Sequence, residues 1–261
     1  MDDPTIVLVL LLVVAAFLAG FVDSIAGGGG LIVLPALLLA GFTPVEALGT
    51  NKLQGLFGSG SATIAYASKG HVDLRTQFGP ALLSAAGAAL GAVLATHVPG
   101  DIFRAVLPFL LVAIALYFAF KPDMDDIDKV RRVSALAFAA LIVPLVGFYD
   151  GIFGPGAGSF FMLAFVALAG YGVLKATAHT KLLNFASNLG AFLVFALVGV
   201  ISWKIGLVMG VAQFLGAQAG SRLAMQRGAR IIKPLLVVTC TALAIRLAAD
   251  PANPVRAWLG W

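Results

Sequence analysis

Two lysines stand where an apolar chain should carry none. Lys52 closes the run Gly49-Thr50-Asn51-Lys52, and Lys181 closes His179-Thr180-Lys181, each inside a segment otherwise fit for lipid. Upstream of each lies an aspartate followed by glycines: Asp23 before Gly27 to Gly30, and Asp150 before Gly154, Gly156 and Gly158. An ammonium near the centre of a bilayer is unfavourable by about 2.5–3.5 kcal/mol, so it faces the protein interior or a cavity and takes a partner. Two chemistries fit. The lysines form structural ion pairs, Lys52 with Asp23 and Lys181 with Asp150, or both line a central site for an anion. The readings are compatible, because an acid can hold its lysine until an anion displaces it.

The glycines favour the anion. Glycine permits tight turns and close ligand approach, and the helix start that follows offers free N–H groups and the positive end of the helix dipole. Gly28, Gly29, Gly30 and Gly156 are therefore candidate donors. Thr50, Asn51, His179 and Thr180 flank the lysines closely enough to be ligands, whereas Asn188, Ser59 and Ser61 are expected to make hydrogen bonds between helices. On a helix, Lys181, Asn184 and Asn188 share one face. Asp23 and Asp150 are candidates for proton coupling or salt bridging, with capping of the next helix as the competing role. Gln213 and Gln218 could line a path, but nothing in the sequence selects them.

The elements that must hold these residues are membrane helices. Of 261 residues, 61% are hydrophobic and only 11% charged, against about 25% charged in a soluble domain. Apolar runs recur at 5–22, 25–41, 45–68, 76–97, 102–120, 133–149, 152–170, 173–199, 203–225 and 231–249, lengths near the ~20 residues that cross a bilayer. The fold class is an all-α polytopic membrane protein of about 8–10 transmembrane or re-entrant helices. The segments at 25–41 and 152–170 open with glycines, so whether they cross fully is open. Met1 to Pro4 carry no basic leader, and the first segment reads as a retained helix. The three histidines, His71, His97 and His179, and the lone Cys240 have no metal-like spacing, so no metal, cofactor or enzymatic centre is expected.

The chain reads as two repeats, 1–121 and 133–261, joined by a charged connector at 122–132. Sliding the second half by 129 positions aligns Lys52 with Lys181, Gly87 with Gly216, Gly91 with Gly220 and Arg104 with Lys233. The glycine pairs are G-x-x-x-G spacings suited to close helix packing. With the N-terminus outside and all ten segments spanning, Lys69, Arg75, Lys121, Lys129, Arg131, Arg132, Lys175, Arg222, Arg227, Arg230 and Lys233 fall inside. Only Arg104, Lys204, Arg246 and Arg256 fall at outside ends. This positive-inside bias supports two inverted repeats. In transporters of that construction, broken helices point their N-termini at anionic substrates near the midplane.

The order Gly20-Phe21-Val22-Asp23, Gly27 to Gly30, Pro35 and Gly49-Thr50-Asn51-Lys52, followed by the Asp150, Gly154-Pro155-Gly156 and Thr180-Lys181 copy, resembles the TauE/SafE family of membrane permeases over essentially the whole chain. The resemblance implies an inner-membrane transporter of small anions, with sulfite and organosulfonate export the named activities. It carries Asp23, the glycine run, Asn51 and Lys52, and Asp150, Gly154, Gly156 and Lys181 as the site. His179 and Thr180 stand where the first copy has Thr50 and Asn51, so the site is expected to be asymmetric. The expected partners are a small anionic substrate and the bilayer, with a homodimer left open and no nucleic acid. An anion channel, or a permease for a different small anion, is the alternative reading. Direction, coupling ion and the identity of the anion are not legible.

Overall fold

In hydrocarbon every backbone N–H and C=O must be satisfied within the protein, which leaves helices as the economical solution for such a chain. The computed structural model describes residues 6–97, 109, 112, 116, 120 and 125–249, and all regular structure among them is helical. The helices are α1 (Ile6–Ala26), α2 (Gly30–Leu39), α3 (Pro44–Ser68), α4 (Phe78–Ala95), α5 (Ala135–Ile152), α6 (Ala157–Ala167), α7 (Val173–Val198), α8 (Trp203–Arg227) and α9 (Ala229–Ala249). A π-helical turn at Phe138–Ile142 interrupts α5. Of the segment predicted at 102–120, only residues 109, 112, 116 and 120 are described. Met1 to Thr5, Arg104, Lys121 and Arg256, on which the predicted orientation partly rests, lie outside the described residues.

Burial is inverted relative to a water-soluble bundle. Leu10, Leu82, Leu90, Leu193 and Leu215 are exposed, while Lys52, Gln54, Ser84 and Lys181 are completely buried. Helices α1, α4, α5 and α7 are long and apolar enough to cross a membrane. Helices α3 and α8, 25 residues each, match them in length, and their polar residues Asn51, Lys52, Gln54, Gln213 and Ser221 turn inward. α3 starts sharply because Thr43 and Glu46 form a capping box with Pro44 at the first helical position, an arrangement that satisfies two otherwise free N–H groups.

Both glycine runs shift the predicted boundaries. The segment predicted at 5–22 continues to Ala26, so Asp23 lies within α1, and the one predicted at 25–41 begins only at Gly30. Likewise α5 carries Asp150 and ends at Ile152, and the segment predicted at 152–170 contracts to Ala157–Ala167. The breaks occur where Gly27 and Gly154 take φ of 80° and 81°, a left-handed conformation closed to ordinary side chains. At 1.5 Å per residue, α2 and α6 span about 15 and 16 Å, half of the ~30 Å hydrocarbon core. Neither crosses.

The connector shows where the second half-helix returns. Arg132 and Val133 N–H donate to Leu168 O, Lys129 N–H to Gly170 O, and Val173 N–H to Asp125 O. The chain entering α5 is thus hydrogen-bonded to the chain leaving α6, and the two helices form a hairpin whose outer ends meet. The same connector supplies carboxylates to the start of α7: Asp128 accepts from Gly172 N–H and Asp126 from Leu174 N–H. Burial raises the Asp128 pKa, but the hydrogen bonds from the Lys175 ammonium and Gly172 N–H outweigh it and hold the carboxyl below its ordinary range.

Glycines let helices of the two halves interlock. A Cβ at Gly87 or Gly91 of α4 would strike the carbonyl oxygens of Pro144 and Phe148 of α5, and one at Gly147 or Gly151 of α5 would strike those of Ser84 and Ala88. Gly216 and Gly220 of α8 meet Phe17 and Phe21 of α1 in the same way. Gly91→Ala is therefore expected to destabilise the protein by about 1–3 kcal/mol through overpacking. Gly79→Ala, a position with open space around it, should be neutral or slightly stabilising through helix propensity. Thermal unfolding of the two variants in detergent checks the contrast.

Candidate functional site

Each lysine is the ninth residue of its helix, Lys52 in α3 and Lys181 in α7, and each is bound to an acid of the opposite half. Lys52 Nζ lies 2.7 Å from Asp150 Oδ1, and Lys181 Nζ lies 3.0 Å from Asp23 Oδ2. The predicted pairing within each half is thus corrected to a crossed one. The cause is the contact between the two glycine turns. A Cβ on Gly27 would sit 2.6 Å from Gly158 and Ser159, and Ser159 Oγ donates to Ala26 O at 3.4 Å. With the turns abutting, the end of α1 reaches α7 and the end of α5 reaches α3.

Further bonds lock the acids. Asp23 Oδ1 accepts from Gly29 N–H at 3.0 Å, a cap-like bond at the start of α2, and Lys181 also donates to the Asp23 backbone carbonyl. Asp150 Oδ2 accepts from Ser187 Oγ. The side chains of both lysines are entirely buried, with Asp150 and Asp23 at 4% and 11% exposure.

The two pairs lie at different depths. Helices α3 and α7 run antiparallel, since Gly49 abuts Phe195, Gly55 abuts Asn188 and Gly60 abuts Phe185. Lys52 is therefore level with the region of Ala191, and at 1.5 Å per residue the two lysine Cα atoms are separated by about 15 Å along the helix axes. A cavity of about 30 Å³ lies by the glycine turns, lined by Asp23, Gly28, Gly29, Gly30, Asn51, Gly55, Asp150, Gly154, Gly158, Asn184, Asn188 and Gln213. Neither lysine is part of its wall; each stands behind its aspartate.

The remaining predicted residues divide. Asn51 lies on the cavity, its Oδ1 accepting from Gln54 Nε2 at 3.2 Å and its Nδ2 near Gly30 and Gly154. Thr50 faces elsewhere, accepting from Ser202 N–H at 3.1 Å. His179 bonds Lys175 O at 2.9 Å and packs against Phe165 and Tyr171, near the connector and off the cavity. Thr180 is buried with an unpartnered hydroxyl but does not line the cavity. Gly156 takes φ of 80° as the N-cap of α6 and is also outside the wall, where Gly154 and Gly158 stand instead. Asn188, expected to bond another helix, donates within its own helix to Asn184 O at 2.8 Å, as Ser59 does to Gly55 O. Ser61 does reach across, to Phe214 O at 2.9 Å. Ser187 is the residue that sequence reasoning missed, and Gln213 is a path candidate that nothing in the sequence selects. A glutamine inside an apolar helix is itself a signal in a membrane chain, whereas a serine bonded to Asp150 has no local signature.

A double-mutant cycle tests the crossed pairing. Removing one partner of a buried pair costs about 3–5 kcal/mol by leaving a lone buried charge. Lys52→Met combined with Asp150→Asn should be less destabilising than the sum of the two single changes, while Lys52→Met combined with Asp23→Asn should be additive or worse. Unfolding free energies from denaturant titration in mixed micelles provide the measurement.

With this geometry established, comparison with known proteins identifies its kind. A profile of the family described as Sulfite exporter TauE/SafE matches residues 12–247. The chain is 65% identical over 260 residues, the full length of both chains, to a probable membrane transporter protein, ORF9, of Sinorhizobium sp. It is 47% identical over 246 residues, 94% of this chain and 91% of the other, to the probable membrane transporter protein YfcA of Escherichia coli K12. A probable membrane transporter protein of Haemophilus influenzae is 44% identical over 248 residues, 95% of this chain and 97% of its own. No solved structure matches the chain.

Proposed function

The chain belongs to the Sulfite exporter TauE/SafE family, and from that premise we propose that it carries a small sulfur-containing anion, sulfite or an organosulfonate, by alternating access. The coarser statement is firm: the protein is a multi-pass membrane transporter and not an enzyme. The finer reading is supported above all by a small cavity flanked by two buried lysine–aspartate pairs, one at each depth. Each lysine stands behind its aspartate, so an anion reaches a lysine only by a rearrangement that parts the pair. This favours a carrier over an open anion channel.

In this mechanism an arriving anion replaces the carboxylate on Lys52 or Lys181. Asn51 Nδ2 and the backbone at Gly28 to Gly30 and Gly154 are placed to orient it. Thr180, whose buried hydroxyl is unpartnered, is the further candidate ligand, whereas Thr50, His179 and Gly156 serve the scaffold. The direction is export across the inner membrane, with the N-terminus outside. Two inverted repeats account for the crossed ion pairs, the shared ninth-residue position of the lysines, and the hairpin of α5 and α6. Treating α1 with α2 as an equivalent hairpin leaves the sidedness of every loop as the positive-inside pattern requires.

Proteoliposomes loaded with labelled sulfite, or with a taurine-like sulfonate, should show saturable flux. The double variant Lys52→Ala, Lys181→Ala should lose it by tenfold or more. Full transport by that variant, shown to be folded by gel filtration in detergent, would remove the lysines from the mechanism.

A further inference from the structure

The wall of the central cavity is richer in oxygen than an anion site requires. Asp23 and Asp150 face it, and beside them stand Asn184 and Gln213, 6% and 3% exposed. Asn184 Oδ1 and Gln213 Oε1 are buried without a hydrogen-bond partner. Leaving a buried acceptor unpaired costs about 1–3 kcal/mol, and both oxygens belong to side chains that line the cavity, so a turn of either amide would bring its oxygen to an occupant that satisfies it.

The surroundings are shaped for these side chains. A Cβ at Gly58 would fall 2.8 Å from Gln213 Cγ, and one at Gly158 would fall 3.1 Å from Asn184 Nδ2. Glycines of two other helices thus clear space for the two amides. Each aspartate oxygen already accepts one bond, from Gly29 N–H and Lys181 on Asp23, and from Lys52 and Ser187 on Asp150. A carboxylate has about four acceptor positions, so each retains capacity.

We propose that this cavity is a binding site for one small monovalent cation of about sodium's size, held by Asp23, Asp150, Asn184 Oδ1 and Gln213 Oε1. Hard cations take oxygen ligands of this kind, and the volume admits one ion that has shed its water. Charge arithmetic sets the valence. Lys52 and Lys181 balance Asp23 and Asp150, so the buried cluster sums to zero. Any added charge is then uncompensated in a medium where that is expensive. A single positive charge is balanced by a single negative one. This part of the inference rests on the anion-transport reading: the cation binds first and loosens a lysine–aspartate pair, and the anion then takes the freed lysine and balances the charge.

Cation binding is measured without transport. The purified protein is placed in lipid nanodiscs at fixed pH, and choline chloride is exchanged for sodium chloride or potassium chloride at constant ionic strength. Thermal stability should rise saturably with sodium and less with potassium, since binding to the folded state alone raises stability with ligand concentration. Gln213→Leu should raise the half-maximal sodium concentration at least tenfold. Gln213→Glu, which adds a carboxylate, should lower it severalfold, so that the site remains testable should the leucine variant fail to fold. Equal stability in sodium and choline, or a sodium response unchanged in Gln213→Glu, overturns the site. Labelled sulfite flux in proteoliposomes then separates the two proposals. Sulfite flux indifferent to a sodium gradient overturns coupling and leaves the anion reading standing. Sodium-dependent stabilisation without flux of any tested anion keeps the cation site and removes that reading.

Discussion

Two buried lysine–aspartate pairs, each joining one half of the chain to the other, are the interaction on which the rest of the structure depends. An isolated ammonium or carboxylate in this environment is too costly to keep, so Lys52 requires Asp150 and Lys181 requires Asp23. Contact between the two glycine turns satisfies both requirements. It also ties the end of α1 to α7 and the end of α5 to α3. A buried ion pair contributes little net stability against an apolar replacement. Its consequence here is positional: it places two charges that can be separated at two depths on either side of a cavity.

Small residues make that placement feasible. In lipid there is little hydrophobic force between helices, and close packing and hydrogen bonds hold them together. The glycines of α4, α5 and α8 bring backbones into contact between halves. Those at Gly55, Gly58 and Gly158 instead leave room for amide side chains around the cavity. One residue type thus serves adhesion at the periphery and clearance at the centre. The difference lies in what faces each glycine, a backbone carbonyl or a polar side chain.

In the proposed carrier, the short helices α2 and α6 supply the means of change. Each is anchored at its inner end beside the ion pairs and at its outer end by the loop to the following long helix. On the second half, the connector's bonds to Leu168, Gly170 and Val173 fix that outer end. A movement that parts an ion pair can therefore be absorbed at a glycine turn without disturbing the packed long helices. The alternating access proposed above would rest on such a movement.

Composition and the continuous apolar runs determined that the chain is a helical membrane protein, because 61% hydrophobic residues gathered in runs of about 20 suit helices, whereas a barrel strand alternates apolar and polar residues. The duplicated acid, glycine run and lysine were equally legible, since an ionisable residue in an apolar run stands out by type. The partner of each lysine was not. Asp23 is nearer in sequence to Lys52, and only the abutting turns reverse that preference. Nor could sequence place Gln213 or Ser187 beside the aspartates, or remove Thr50, His179 and Gly156 from the cavity, since helix rotation and depth depend on packing against other helices. Residue type set which charges had to be paired, and tertiary packing decided with whom, because a charge buried in lipid must find a counter-charge but the backbone alone determines which one is within reach.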